Sequence, residues 1–207
     1  MISAALALAL ALSSTAAAAP DASALAEKVQ AYYEKTKDFE ASFVQTYTYA
    51  AAARTQTSRG TLRVKKPGKM RWDYVEPSQK TIVVNGSRLV QYEPEENQAY
   101  VDEHFDASAM SAAVTFLLGK GKLAREFELS MEEGRLVLTP KKPDARVDRV
   151  VLTVTGSGEV SGTRVVDGSG NVNEIAFHKL QRNLGLKDDV FALDLPKDVH
   201  LVKPPAQ

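Results

Sequence analysis

The chain has 207 residues, the length of one globular domain, with 44% hydrophobic and 25% charged residues. Its 26 Lys and Arg residues balance its 26 Asp and Glu residues, so it lacks the excess of positive charge typical of nucleic-acid-binding proteins. The sequence contains no cysteine. That excludes disulfides, thiolate zinc sites, cysteine nucleophiles and a lipid-modified N-terminal cysteine.

The first residues have the pattern of a secretory signal. Residues 2–12 form an uncharged run of mainly Ala and Leu, and Ala16-Ala17-Ala18 supplies the small residues that precede a cleavage site. The run is shorter than the roughly 20 apolar residues needed to span a membrane. The sequence therefore predicts a signal peptide over 1–18 and an exported single domain over 19–207. The alternative is an alanine-rich disordered leader.

One helix and then a long series of strands are predicted for the exported domain. Leu25, Val29, Tyr32 and Tyr33 form one helical stripe, which predicts a helix over about 23–37. Apolar and polar residues then alternate in about eleven short strands, from 39–49 through 123–130 to 190–194. Asn85-Gly86 is the strongest hairpin signal. Such a series favours an antiparallel sandwich or barrel.

Residues 107–118 interrupt the strand pattern. This stretch carries no charge, and Met110, Val114, Leu117 and Leu118 fall on one face of a predicted second helix. A helix with so little polar surface must either be covered or cover something apolar.

The sequence offers no motif for catalysis. His104, His178 and His200 lack the spacing of a helical metal pair. Nucleophile-elbow, dinucleotide-binding and phosphate-loop motifs are also missing. We therefore predict no catalytic residue, no metal site and no cofactor.

Aromatic residues concentrate on single strand faces. Phe39, Phe43 and Tyr47 share one face of the first strand, and Trp72 and Tyr74 share one face of another. A sheet of about eleven strands has more inner face than two short helices can cover, so the remainder must close on itself or hold a ligand. The alternative for each residue singly is an ordinary core position.

Four segments together resemble the LolA family of periplasmic outer-membrane lipoprotein carriers. They are Phe39-Glu40-Ala41-Ser42-Phe43-Val44-Gln45, the segment 60–72 from Gly60 through Lys65-Lys66-Pro67 to Trp72, Ile82-Val83-Val84-Asn85-Gly86, and Leu89-Val90-Gln91-Tyr92. They occur in the family's order, and the resemblance extends over about residues 25–200.

The resemblance implies a mainly β fold: an unclosed antiparallel β-barrel with an N-terminal helix and lid helices over a hydrophobic cavity. It implies a carrier without enzymatic activity, working as a monomer in the periplasm. Lipoprotein acyl chains would be taken from an inner-membrane ABC-transporter complex and passed to an outer-membrane acceptor. The acceptor has a similar fold but carries a lipidated N-terminal Cys, which this sequence lacks.

Residues on the apolar phase of their strands are predicted to line the cavity. These strand residues are Phe43, Leu62, Met70, Trp72, Leu89 and Tyr92. The helix over 107–118 is predicted to cover the cavity mouth, with Met110, Val114, Phe116 and Leu117 facing inward.

One position departs from the family pattern. The family often has Arg immediately before the Pro of its Lys-[Arg/Lys]-Pro motif, and this Arg is associated with holding the lid closed. This chain has Lys66 at that position, before Pro67. We predict that the Lys66 ammonium binds carbonyls at the end of the lid helix, near Leu118 or Gly119. The alternative is a solvated lysine at the end of a strand.

Four cations lie within seven positions, and we expect them to help dock an acidic partner: Lys65, Lys66, Lys69 and Arg71. Two other functions stay open at this point. One is a periplasmic lipid-sensing or regulatory binding module of the same fold. The other is an envelope hydrolase, for which the sequence offers no set of catalytic residues.

Overall fold

The computed structural model describes residues 21–106, 121–144 and 146–202, so the predicted signal peptide and the predicted helix over 107–118 lie outside it. Helix α1 spans Ala22–Glu34 and begins after Asp21, whose Oδ1 accepts the Ser23 N–H at 3.2 Å. It buries the predicted stripe around Val29 and Tyr33. None of the helices in these ranges is long and apolar enough to cross a membrane.

Twelve strands form one sheet in the described ranges. Their bounds are β1 Asp38–Tyr49, β2 Arg54–Lys65, β3 Lys69–Glu76, β4 Lys80–Asn85, β5 Arg88–Glu93, β6 Gln98–Asp102, β7 Phe127–Glu132, β8 Arg135–Pro140, β9 Arg149–Val154, β10 Val160–Val166, β11 Val172–Arg182 and β12 His200–Val202. The strand order is β12-β6-β5-β4-β3-β2-β1-β11-β10-β9-β8-β7. Neighbours are antiparallel except β12, which lies parallel to β6. The edge strands β12 and β7 do not pair with each other, so the predicted unclosed, mainly β fold is confirmed.

Two predicted strands differ from the structure. The segment 123–130 begins with a short helix, α2 (Leu123–Glu126), because Leu123 is buried and α2 packs against α1. The segment 190–194 contains the end of a 3-10 turn, Asp188–Phe191, instead of a strand. The Arg71 guanidinium binds carbonyl oxygens at this turn, so they are not available to a strand ladder.

The main core lies between α1 and one face of the sheet, which we call the inner face. Helix α1 packs against β7 and β8, and Tyr33 meets Phe39 of β1 edge to face at 6.1 Å between ring centroids. The buried cluster continues along the same face through β2, β3 and β4. The core on the inner face therefore includes residues from both sides of β1 in the strand order, β7 and β8 on one side and β2 to β4 on the other.

The opposite, outer face carries a smaller apolar group. Val83, Val90, Ala99 and Val101 share this face by register and are buried, as is Phe191. The chain after β11 covers them: its 3-10 turn packs against β3 and β4, and its end pairs with β6. We call residues 183–202 the C-terminal strap.

Candidate functional site: an aromatic inner face

Three aromatic side chains meet on the inner face of β1 and β3. The register places Phe43 opposite Gly60 and Gly60 opposite Tyr74. The ring centroid of Phe43 lies 4.8 Å from that of Trp72 and 5.1 Å from that of Tyr74, both edge to face. Such pairs contribute about 0.5–1.5 kcal/mol beyond their buried area. We call Phe43, Trp72 and Tyr74 the aromatic triad.

The triad combines a buried ring with two accessible ones. Phe43 is buried, whereas Trp72 and Tyr74 are partly exposed. Burial nevertheless raises the pKa of the Tyr74 hydroxyl to about 12, so this hydroxyl is neutral at physiological pH and can donate a hydrogen bond. The triad is thus an apolar surface with a polar group at one end.

Aliphatic residues extend this surface across β2 to β5. Leu62 lies opposite Trp72, Met70 lies opposite Val84, and Val84 lies opposite Leu89. Leu62, Met70 and Val84 are buried and Leu89 is partly exposed. The strand register therefore puts five predicted cavity residues on the inner face: Phe43, Leu62, Met70, Trp72 and Leu89.

Tyr92, the sixth predicted strand residue, lies on the other face of the sheet. It pairs with Thr81 of β4 and Ala99 of β6, which belong to the outer face. Tyr92 follows Leu89 by three residues, and side chains three apart on a regular strand point to opposite faces. The prediction for Tyr92 is therefore wrong, because the alternation of β5 allows only one of the two residues to face inward.

The predicted lid residues Met110, Val114, Phe116 and Leu117 lie outside the described residues, as do the predicted lock partners Leu118 and Gly119. Whether they cover the aromatic triad stays a prediction.

The Lys66 ammonium binds the end of α1. Its Nζ donates to the Tyr33 carbonyl oxygen at 2.5 Å, and its backbone N–H donates to the Lys37 carbonyl at 2.8 Å. The last carbonyls of a helix have no partner within the helix, so a cation there is favourable. Burial lowers the pKa of Lys66, and the nearby Glu34 carboxylate partly opposes that shift. In the described part of the chain, Lys66 thus joins the end of β2 to the end of α1.

The other cations of the predicted docking cluster hold the C-terminal strap. Lys65 and Lys69 both pair with Asp188, at 2.6 and 2.8 Å. Hydrogen bonds from Lys65 and then Lys69 lower the pKa of the Asp188 carboxyl to about 2. Arg71 donates to the strap carbonyls noted above. Intramolecular partners therefore occupy these three side chains in this structure, and their docking of an acidic partner stays a prediction.

Sequence reasoning missed a polar group beside the triad. Lys80 lies opposite Tyr74 on the inner face, with its Nζ 4.8 Å from the Tyr74 ring centroid. Gln45 of β1 donates from Nε2 to Asn173 Oδ1 of β11 at 2.9 Å, also on this face. The sequence of β4 could have predicted this position, because Lys80, two residues before Ile82 and four before Val84, must lie on the same face as both.

The described ranges contain no group of three or more His, Asp or Glu side chains that could hold a metal ion. A separate cleft of about 350 Å³ lies beside α2, between Arg125, Lys142 and Val147. Charged side chains form much of its wall, which makes it a poor site for an alkyl chain. We take the aromatic inner face as the candidate binding site, because it joins buried apolar residues to the partly exposed rings of Trp72 and Tyr74.

Comparisons with known proteins find relatives in sequence and a solved structure of similar fold. It is 30% identical to the outer-membrane lipoprotein carrier protein of Methylobacillus flagellatus, covering 85% of this chain and 87% of that one. It is 26% identical to the protein of the same name from Pseudomonas aeruginosa, covering 88% and 89%. The fold resembles an uncharacterized conserved protein of Thermus thermophilus, with a TM-score of 0.54, 12% identity and coverage of 88% and 99%.

The family model described as outer membrane lipoprotein carrier protein LolA matches residues 34–194. That range contains the whole aromatic triad, Lys66 and most of the strap. This match and the relatives show that the chain belongs to the LolA family.

Proposed function

We propose that this protein is a periplasmic lipoprotein carrier, which holds the acyl chains of its cargo against the aromatic inner face. It takes lipoproteins from an inner-membrane ABC-transporter complex and delivers them to an outer-membrane acceptor. It works as a monomer and catalyses no reaction. The observation that carries the proposal is the continuous apolar surface from Phe43 across Leu62 and Trp72 to Leu89, in a chain of the LolA family.

The chemistry of the cargo favours such a surface. Each methylene transferred from water to an apolar environment contributes about 0.8 kcal/mol, so an acyl chain cannot cross the periplasm unshielded. Trp72 and Tyr74 offer partly exposed ring surface, and Met70 beside them is an adaptable apolar side chain. Helix α1 lies against β7 and β8, whereas the triad lies on β1 and β3. In the proposed function, the partly exposed rings of Trp72 and Tyr74 are therefore the part of the triad that contacts the cargo.

The single tryptophan allows a direct test. Trp72 is the only Trp in the sequence, so its fluorescence reports the inner face of β3 alone. A synthetic diacylglyceryl-cysteine peptide with brominated acyl chains should quench this fluorescence strongly, because bromine quenches on contact. The measurement is a titration of the purified protein with the brominated and the unbrominated peptide.

A matched control moves the reporter to the other face of the same strand. Val75 lies on the outer phase of β3 and is 61% exposed. The double variant Trp72→Phe, Val75→Trp should bind the peptide without being quenched. Equal quenching in both proteins, or none in the original, would contradict an acyl site at the triad. Co-purified lipoprotein identified by mass spectrometry would support the cargo class independently.

Lys66 is proposed to hold the end of α1 against the sheet. We call this arrangement the closed state, and the one in which the end of α1 is released the open state. Its bond to the Tyr33 carbonyl is charge-assisted, and removing such a bond costs about 1.5–3 kcal/mol, which is tenfold or more in a two-state equilibrium. Lys66→Leu should therefore keep the fold and shift the balance towards the open state. Hydrogen exchange at the end of α1 should become faster, and hand-over of bound lipopeptide to acceptor should become slower.

The control for this variant is Lys37→Leu. Lys37 is exposed close to the same helix end, and its side chain forms no hydrogen bond or ion pair with the described residues. This variant should behave like the original protein in both measurements. If Lys66→Leu also does so, the bond from Lys66 to the Tyr33 carbonyl does not hold the closed state and the lock lies elsewhere.

A further inference from the structure

The inner face changes from apolar to polar in the same direction on neighbouring strands. On β1 the buried Phe39 and Phe43 are followed by the partly exposed Gln45 and Tyr47, of which Tyr47 carries a hydroxyl on its ring. On β4 the buried Val84 is followed, towards the opposite end of the strand, by Lys80. The register aligns these changes, because Phe43 reaches Tyr74 through Gly60 and Tyr74 pairs with Lys80.

Strands β5 and β11 follow the same pattern. On β5 the inner positions are Leu89, then Gln91, then Glu93. On β11 Phe177 pairs with Phe43, Ile175 follows on the same face, and the polar Asn173 lies beyond it. The inner face therefore has an apolar end and a polar end, with the aromatic triad at the boundary between them.

Lys80 is the cation at this boundary. Its ammonium lies over the Tyr74 ring at 4.8 Å from the centroid, and it forms no ion pair with any residue in the described ranges. The carboxylate of Glu93 on the same face accepts a hydrogen bond from Gln91 Nε2 at 2.6 Å. Among the described residues, the Lys80 ammonium thus has hydrogen-bond donors left for an oxygen acceptor, next to the hydroxyl of Tyr74.

Acyl chains attached to a protein are themselves amphipathic. Their alkyl part is apolar, whereas the ester and amide linkages carry carbonyl oxygens that lose hydrogen bonds when they leave water. An apolar surface ending in an ammonium and a phenol hydroxyl matches that division. We propose that Lys80, beside Tyr74, binds the carbonyl oxygens of the cargo's acyl linkage, with the alkyl chains directed towards Met70 and Val84. This inference rests on the proposed carrier function and adds a direction to the bound cargo.

The test compares two synthetic lipopeptides with the same alkyl chains. One carries two ester-linked chains, and the other carries ether-linked chains without the carbonyl oxygens. The quantity measured is the ratio of their dissociation constants, from the change in Trp72 fluorescence. We expect the original protein to prefer the ester form by about tenfold. Lys80→Met, which keeps an apolar stem over the Tyr74 ring, should lose most of that preference.

Lys197→Met is the matched control, because Lys197 is exposed in the C-terminal strap, away from the inner face; it should keep the ester preference. An unchanged ester-to-ether ratio in Lys80→Met would overturn the inference while leaving the acyl site intact. Failure of the original protein to bind either lipopeptide would instead contradict the proposed function itself. A diacyl phospholipid with the same chains is the third probe. If Lys80→Met weakens only this probe, the ammonium recognises phosphate, and the inference is overturned.

Bromine position tests the direction of the chains. Trp72 neighbours Tyr74 on the inner face of β3, so bromines near the carbonyl should quench it more than bromines near the terminal methyl group. The reverse order would place the linkage at the other end of the inner face and would also overturn the inference.

Discussion

Gly60→Ala should destabilise the protein by at least about 3 kcal/mol, because the new methyl group has no space. A Cβ at Gly60 would lie 2.0 Å from the carbonyl oxygen of Asp73 and 2.9 Å from the ring of Phe43. The Asp73 oxygen belongs to the backbone of β3, so it can move only if the pairing of β2 with β3 is disturbed. The Phe43 ring occupies the space that a side chain at position 60 would need.

Urea unfolding followed by Trp72 fluorescence measures this effect. Gly156→Ala is the control, since a Cβ at Gly156 meets nothing within 4 Å and its φ is not in the left-handed region. That substitution should change the free energy of unfolding by less than about 1 kcal/mol. Adding Phe43→Leu to Gly60→Ala should recover little stability, because the contact with the Asp73 backbone remains. A Gly60→Ala protein as stable as the original would refute the close packing of β1, β2 and β3.

The alternation of residues was enough to predict most of the sheet and the inner face of β1 to β4. The alternation along each strand places four predicted residues on the apolar side of their own strand, and the antiparallel register then brings these sides together on one face of the sheet: Phe43, Leu62, Met70 and Trp72. The same rule shows why Tyr92 was misplaced: Leu89 and Tyr92 are three positions apart, an odd offset, so they cannot share a face. The alternation along β5 was therefore sufficient to place Tyr92 on the outer face.

The C-terminal strap could not be predicted in the same way. Its contacts join residues more than one hundred positions apart, as when Lys65 and Lys69 pair with Asp188. Clustered cations in a sequence look the same whether they face solvent or an acidic segment of their own chain. Only the fold brings the strap across β2 and β3, so the charge pattern alone suggested a docking surface for another protein.

The start of the strap is held by one buried carboxylate. Asp38 is 4% exposed at the beginning of β1. Its Oδ1 accepts the Leu184 N–H at 2.6 Å, and its Oδ2 accepts the N–H groups of Gly185 and Leu186 at 3.1 and 3.3 Å. The Asp38 carbonyl accepts a fourth bond, from the Asn183 N–H at 2.8 Å. The carboxylate thus satisfies three successive backbone donors where the chain leaves β11.

Asp38→Ala should therefore destabilise the protein by roughly 2–4 kcal/mol, because three partly buried N–H groups lose their acceptor together. Asp38→Asn keeps one acceptor oxygen and should lose less. Asp167→Ala is the control: Asp167 also accepts backbone N–H groups, from Ser169 and Asn171 at 2.8 and 2.9 Å, but in a more exposed turn where water can replace it. That variant should lose about 1 kcal/mol.

Hydrogen exchange should show where the loss in Asp38→Ala occurs. Once residues 184–186 are released, the strap is held by its cation pairs, its carbonyl bonds to Arg71 and its pairing with β6. The pairs of Asp188 are largely exposed and contribute little by themselves. Exchange should therefore increase along 184–202 before it increases in β1. Phe191 should then no longer cover the apolar group on the outer face. If Asp38→Ala unfolds at the same urea concentration as the original protein, the carboxylate is not what fixes the strap to the sheet.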